Sequence, residues 1–142
     1  CESVIIVGTG ATARSAALAV RDKKVSFLGR STEKLKDIEN WARDLNIEPG
    51  SAKSVDIVID TTPGDVRFNY PDYRLVLDVA YGSDRNWGNP KLISGLEMLL
   101  HQAVLQNYAF SSMKISTDIN MAELTEVMRE ALVSRVGEWS NA

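Results

Sequence analysis

The chain has 142 residues, of which 44% are hydrophobic and 25% charged, and a formal net charge of −3. That length fits one domain, and the composition excludes a disordered tail, a collagen-like repeat and a coiled coil. The acidic balance argues against nucleic-acid binding through a basic face. One Cys cannot form an internal disulfide, and one His beside it makes a poor zinc site. No apolar run reaches the ~20 residues of a membrane helix and no signal-peptide pattern is present, so a soluble cytoplasmic protein is the expectation, with neither nucleic acid nor membrane as partner.

The elements alternate along the chain. Ser3 to Val7 is a short β-branched run that predicts a strand buried on both faces. It starts so close to Cys1 that further chain is expected upstream. Gly8-Thr9-Gly10 breaks it, and the alanine-rich stretch from Ala11 to Arg21 predicts a helix. Val25 to Leu28 is a second strand. Ser31 or Thr32 then caps a helix over Glu33 to Leu45, with Leu35, Ile38, Trp41, Ala42 and Leu45 on one face. Ser54 to Asp60 is a third strand, followed by a turn at Thr61-Thr62-Pro63-Gly64. Leu75 to Val79 is a fourth. Tyr81 to Ser94 reads as loop. Leu96 to Phe110 predicts an apolar helix. Asn120, with Glu123 three residues on, caps a last helix to about Val136 that buries Met121, Leu124, Val127, Met128, Ala131 and Leu132.

Strands alternating with helices predict an α/β fold with a parallel sheet and right-handed crossovers. Ligands of such sheets bind outside the carboxyl ends of the strands, which directs attention to residues 8–14, 29–34, 60–65 and 78–82. Gly8-Thr9-Gly10-Ala11-Thr12-Ala13 is a G-x-G-x-x-A dinucleotide pattern set between strand and helix. Gly8 permits the tight turn, Gly10 admits a pyrophosphate, and the helix N-terminus offers free N–H groups. The plain alternative is a tight turn with no ligand. At the end of the second strand, where an NAD site places an acid for the ribose 2′-hydroxyl, the sequence reads Gly29-Arg30-Ser31-Thr32-Glu33-Lys34. A guanidinium there can bond a 2′-phosphate bidentately, with Ser31 or Thr32 and Lys34 adding to the site, so NADP is expected over NAD. The alternative is two solvated cations at a helix start, where the dipole disfavours them.

Asp60-Thr61-Thr62-Pro63-Gly64 can pass over the nicotinamide ribose or be only a turn. Tyr81, three residues after Asp78, can reach a small molecule or pack in its loop. Gly95 admits close backbone approach. Met98 and Gln102 share a helix face, from which Gln102 can hydrogen-bond a hydroxylated substrate. His101 reads as a helix-face residue, with nothing nearby in sequence to orient it as a base.

Together these segments resemble the shikimate dehydrogenases. Val4 to Arg14 looks like their glycine-rich loop, and Gly29-Arg30-Ser31-Thr32-Glu33-Lys34 their Asn-Arg-Thr-x-x-Lys/Arg clamp for the 2′-phosphate. Asp60-Thr61-Thr62-Pro63-Gly64 is similar to their Asn-Ala/Thr-Thr-Pro-x-Gly segment. Asp78-Val79-Ala80-Tyr81 matches their Asp-x-x-Tyr. Gly95-Leu96-x-Met98-Leu99-x-x-Gln102-Ala103 matches the start of their returning helix. The five motifs fall in order over residues 4 to about 110. The departures are Gly29 for the clamp Asn, Ser31 for its Thr, Asp60 for the loop Asn, and a stretch between Tyr81 and Gly95 too short for the family's helix.

The resemblance implies a Rossmann-like doubly wound sheet and hydride transfer between NADP(H) and C5, converting 3-dehydroshikimate to shikimate on the way to aromatic amino acids. It implies that Gly8, Gly10, Ala11, Thr12 and Ala13 hold the pyrophosphate, that Arg30, Ser31 and Lys34 hold the 2′-phosphate, and that Thr62 lies beside the cofactor. Gly95 and Met98 face the nicotinamide, and Tyr81 and Gln102 touch substrate. It places the catalytic Lys and Asp in an N-terminal substrate domain, so no catalytic residue is assigned here and the chain alone is expected to bind NADP weakly without turnover. Residues 1–110 form the expected NADP-binding domain. Residues 111–142 form a helical segment packing toward the substrate domain, its apolar face otherwise exposed or paired in a homodimer. A non-catalytic NAD(P)-binding regulatory module and a quinate-type paralogue remain the alternatives.

Overall fold

The computed structural model describes residues 2–50, 54–64, 66, 68–80, 87, 91–112 and 120–136. By contact the chain divides into two compact units, Cys1–Gly95 and Leu96–Ala142.

The first unit is built on a parallel sheet. Its strands are β1 (Ser3–Val7), β2 (Lys24–Leu28), β3 (Ser54–Asp60), β4 (Asp72–Asp78) and β5 (Lys91–Ser94), in spatial order β2-β1-β3-β4-β5. All four strand pairings are parallel. β1 is central, and Val4, Ile5, Ile6 and Val7 are each at most 1% exposed. Burying a side chain of that size contributes about 1.5–3 kcal/mol, so this four-residue run anchors the sheet. A single parallel bridge from Val25 to Pro49 adds one rung outside β2. Counting that rung, the order becomes the 3-2-1-4-5-6 arrangement of dinucleotide-binding sheets, whose direction reverses between β1 and β3.

Helix α1 (Ala11–Ala19) and helix α2 (Thr32–Asp44) cover one face. Ala13 and Ala17 of α1 and Ile38 and Ala42 of α2 are buried with Val4, Ile6, Val25 and Ile59. Arg14 of α1 stacks over the ring of Trp41 of α2 at 4.8 Å, a cation–π contact between the two helices. Ser31 is the N-cap of α2, its Oγ accepting from the Lys34 N–H at 3.3 Å, as its residue type favours. The helix ends one residue earlier than its apolar stripe suggests. Asn46 adopts φ 57°, and the Ile47 N–H donates to the Ala42 carbonyl at 3.0 Å, a left-handed cap that turns the chain away. Leu45, expected on the buried face, therefore lies beyond the helix and is 45% exposed.

The stretch read as loop to Ser94 needs correction, because Lys91–Ser94 is a strand. Leu92 pairs with Val76 and Ile93 with Leu77. Four residues are too short to show a period, and Gly88 and Pro90 just before them carry the turn signal.

In the second unit, α3 (Gly95–Ser112) runs on from β5, and α4 (Met121–Val136) follows. Asn120 caps α4, its Oδ1 accepting from the Ala122 and Glu123 N–H groups. Arg129 of α4 donates to Glu97 of α3. The residues expected to be buried along α4 are not: Val127 and Ala131 are exposed, and Met121, Leu124, Met128 and Leu132 are half-buried. Among the described residues no helix is long and apolar enough to cross a membrane.

Candidate functional site

A cleft of about 320 Å³ opens at the carboxyl ends of β1, β2 and β3, where the strand order reverses. Its lining includes Gly8, Gly10, Arg30, Ser31, Lys34 and Thr62. Six residues singled out from three separate stretches of sequence thus meet in one place.

The two glycines serve different needs. Gly8 adopts φ 116°, which side-chain-bearing residues avoid. A Cβ on Gly8 would also sit 2.3 Å from Thr61 Oγ1. That hydroxyl donates to the Val7 carbonyl at 2.7 Å, and the same carbonyl takes the Thr61 N–H at 2.9 Å. The Gly8 N–H donates to Leu28 at 2.8 Å. Gly8 is therefore the joint where β1, β2 and the turn after β3 come together. Gly10 has extended backbone, and a Cβ there would meet nothing within 4 Å. Its missing side chain leaves space facing the cleft.

Gly10 is also the N-cap of α1 and offers no side-chain cap. Helix geometry leaves the N–H groups of Ala11, Thr12 and Ala13 without intrahelical acceptors, since the first bond is from Arg14 N to Gly10 O at 3.2 Å. Those donors and the helix dipole create a positive potential at the cleft. Ala13 is fully buried among Val4, Ile6 and Ile38, so the third position of the glycine motif sets how closely α1 approaches the sheet.

Arg30 and Lys34 stand exposed on the β2 side. Among the described residues neither makes an ion pair or a side-chain hydrogen bond. The Ser31 hydroxyl spends an acceptor lone pair on the Lys34 N–H but keeps its own proton to donate. Gly29 is crowded, since a Cβ would lie 3.1 Å from Thr9 Cγ2 and 3.2 Å from Leu35 Cδ2. A larger residue there would displace the cleft wall.

The turn after β3 forms the opposite wall. Asp60 is fully buried, and its Oδ1 accepts the Thr62 N–H at 2.8 Å and the Thr62 hydroxyl at 2.6 Å. Its Oδ2 accepts the Tyr70 hydroxyl at 2.5 Å. At the end of β4, Asp78 accepts the Ala80 N–H at 3.1 Å and the Trp87 indole N–H at 3.0 Å. The sequence marks Asp60 as a strand end and places Asp78 one residue before another, but it does not reveal their aromatic donors. The available signal was an acid closing each strand with a turn two residues on, the pattern in which such a side chain accepts a backbone N–H.

The remaining candidates are placed as follows. Gly95 sits against backbone, where a Cβ would lie 2.3 Å from the Val79 carbonyl oxygen, so packing alone requires glycine. Met98, half-buried, and Gln102, exposed, share a face of α3 in the second unit. Tyr81 lies outside the described residues.

The chain is 31% identical, over 133 aligned positions, to a shikimate dehydrogenase (NADP(+)) of Methanothermobacter thermautotrophicus. The chain is homologous to the shikimate dehydrogenases. The match spans 72% of this chain and 47% of that relative. The fold matches the shikimate dehydrogenase of Mycobacterium tuberculosis with a TM-score of 0.70 at 18% identity, over 92% of this chain and 56% of that one. It also matches a shikimate 5-dehydrogenase of Thermus thermophilus solved with NADP(H) and shikimate, with a TM-score of 0.63 at 18% identity, over 90% and 54%. This homologue therefore spans about half the length of the relatives it matches. No protein-family model matches the sequence.

Proposed function

We propose that this chain is the NADP-binding half of a shikimate dehydrogenase, contributing to NADPH-dependent reduction of 3-dehydroshikimate to shikimate. In this reading residues 1–110 form the cofactor domain, and residues 111–142 pack toward a substrate domain. One observation carries it: two cations without an ion-pair partner among the described residues, Arg30 and Lys34, share a cleft with a glycine turn and an uncapped helix start.

The residues present fit the cofactor. Gly10 leaves room for a pyrophosphate, and the N–H groups of Ala11, Thr12 and Ala13 donate to its oxygens. Arg30, as a planar fork, and Lys34, as a point charge, meet a 2′-phosphate, to which Ser31 donates its hydroxyl. Among the described residues, no acid in the cleft lining opposes that phosphate. Gly8 holds the glycine turn against Thr61, and Asp60 holds Thr62 on the facing wall. NADPH, when bound, supplies the hydride. The protein's part would be to hold and orient the dinucleotide. Met98 is assigned to the nicotinamide, and Tyr81 and Gln102 to the hydroxylated substrate.

The test is a direct titration of the chain with NADPH and with NADH by calorimetry. NADPH is expected to bind at least about tenfold more tightly, the discrimination that one charge-assisted phosphate contact supplies. Equal affinity for the two would refute the assignment of the β2 tip to the 2′-phosphate.

A further inference from the structure

Asp60 and Asp78 are direct neighbours across the β3–β4 ladder, and both are buried at its carboxyl end. Each uses its carboxylate in the same way. One arm accepts the N–H two residues ahead, Thr62 for Asp60 and Ala80 for Asp78. The other arm accepts an aromatic donor, Tyr70 for Asp60 and Trp87 for Asp78. The two aromatic rings pack against each other with centroids 4.9 Å apart, and the Tyr73 hydroxyl donates to the Trp87 carbonyl at 3.0 Å. The first turn forms the cleft wall at Thr61, Thr62 and Pro63, and the second leads into Tyr81 in sequence.

We infer that Tyr70 and Trp87 are positioning residues that act through Asp60 and Asp78 as one clamp on both turns. The reason is physical. A buried carboxylate needs its acceptor sites filled, and a charge-assisted bond is stronger than a neutral one. With Tyr70 and Trp87 in contact, rotating either carboxylate disturbs the partner of the other. The two turns are therefore set jointly, and the cofactor wall inherits its shape from residues that line no part of it. This inference rests on the cofactor reading above and extends it to residues outside the cleft.

The test uses Tyr70→Phe, Trp87→Phe and the double variant, with Val55→Ala as a control. Val55 is buried in the same cluster but at the far end of β3. If loss of one donor cuts the binding-competent population of the turn to about one fifth, each single variant raises the NADPH dissociation constant about fivefold. The double variant is expected near that same value, not the about 25-fold of independent sites. Val55→Ala is expected to lower the melting temperature without moving that constant. A second readout needs no cofactor. Tyr70→Phe should shift the Trp87 indole N–H resonance and speed amide exchange at both Thr62 and Ala80. Variants that lose stability like Val55→Ala, yet keep NADPH affinity and the exchange of both amides, would overturn the clamp. If the unaltered chain binds no NADPH, the cofactor reading fails by itself. Exchange then decides the clamp: acceleration at both amides in either variant supports it, and acceleration at only one overturns it.

Discussion

Replacing Arg30 with Ala tests the electrostatics of the cleft most directly. Arg30 lies at the tip of β2, exposed, with no ion-pair partner among the described residues, so its removal breaks nothing inside the fold. A hydrogen bond to a charged group contributes about 1.5–3 kcal/mol. At an exposed lip the dielectric is high, which weakens the bond to about 1–2 kcal/mol. This corresponds to a loss of NADPH affinity of about 5–30-fold, since about 1.4 kcal/mol is tenfold. NADH lacks the phosphate and should be held as before. The difference should also shrink with salt, because the screening length falls from about 10 Å at 0.1 M to about 3 Å at 1 M. Calorimetric titration of both nucleotides at two ionic strengths measures all of this. An equal loss for NADPH and NADH would show that Arg30 acts on the shared adenosine and not on the phosphate. No loss for either would place the 2′-phosphate elsewhere.

The glycines separate folding from binding. Gly8→Ala must adopt a left-handed backbone and place a Cβ 2.3 Å from Thr61 Oγ1, so thermal unfolding should report a loss of about 3 kcal/mol or more. Gly10→Ala meets nothing within 4 Å and should cost no more than about 1 kcal/mol of stability while sharply weakening NADPH binding. Normal NADPH affinity in that variant would remove Gly10 from the phosphate site. Gly95→Ala would press on the Val79 carbonyl and should destabilise by about 3 kcal/mol in denaturant titration. Asp56 gives a pH signature. The Glu2 N–H, then the Ser3 N–H, bond its carboxylate and hold its pKa below the usual carboxylate value. A lowered folded pKa stabilises at neutral pH, and the effect is lost as pH falls through that value. The stability gap between the unaltered chain and Asp56→Ala should thus be open at pH 7 and close below about pH 4; a gap constant from pH 7 to pH 3 would contradict this.

What was legible in the sequence was whatever depends on neighbours along the chain. Val4 to Val7 reads as a strand because every residue is apolar and β-branched, and nothing distant alters that. The turn at Gly8-Thr9-Gly10 and the cap at Ser31 are local chemistry as well. The same locality made Gly8, Gly10, Arg30, Ser31 and Lys34 readable as lining one cleft once the strands were known to be parallel, since each lies in a strand-to-helix turn or in the first turn of the helix after it.

What was not legible depends on partners remote in sequence. β5 has four residues and no period of its own, and it exists because Leu92 and Ile93 find Val76 and Leu77 across the sheet. Leu45 fits the apolar stripe of α2, yet the left-handed turn at Asn46 leaves it outside. Tyr70 stands ten residues from Asp60, and Trp87 nine from Asp78, with nothing local to mark either pair. Gly95 shows the same logic in reverse. Its place before a helix suggested room for a ligand, but the backbone of Val79 already occupies the space where a side chain would go. A glycine in sequence therefore says only that a side chain is absent. Gly10 leaves that space open, Gly95 fills it with carbonyl, and only the first can admit a phosphate.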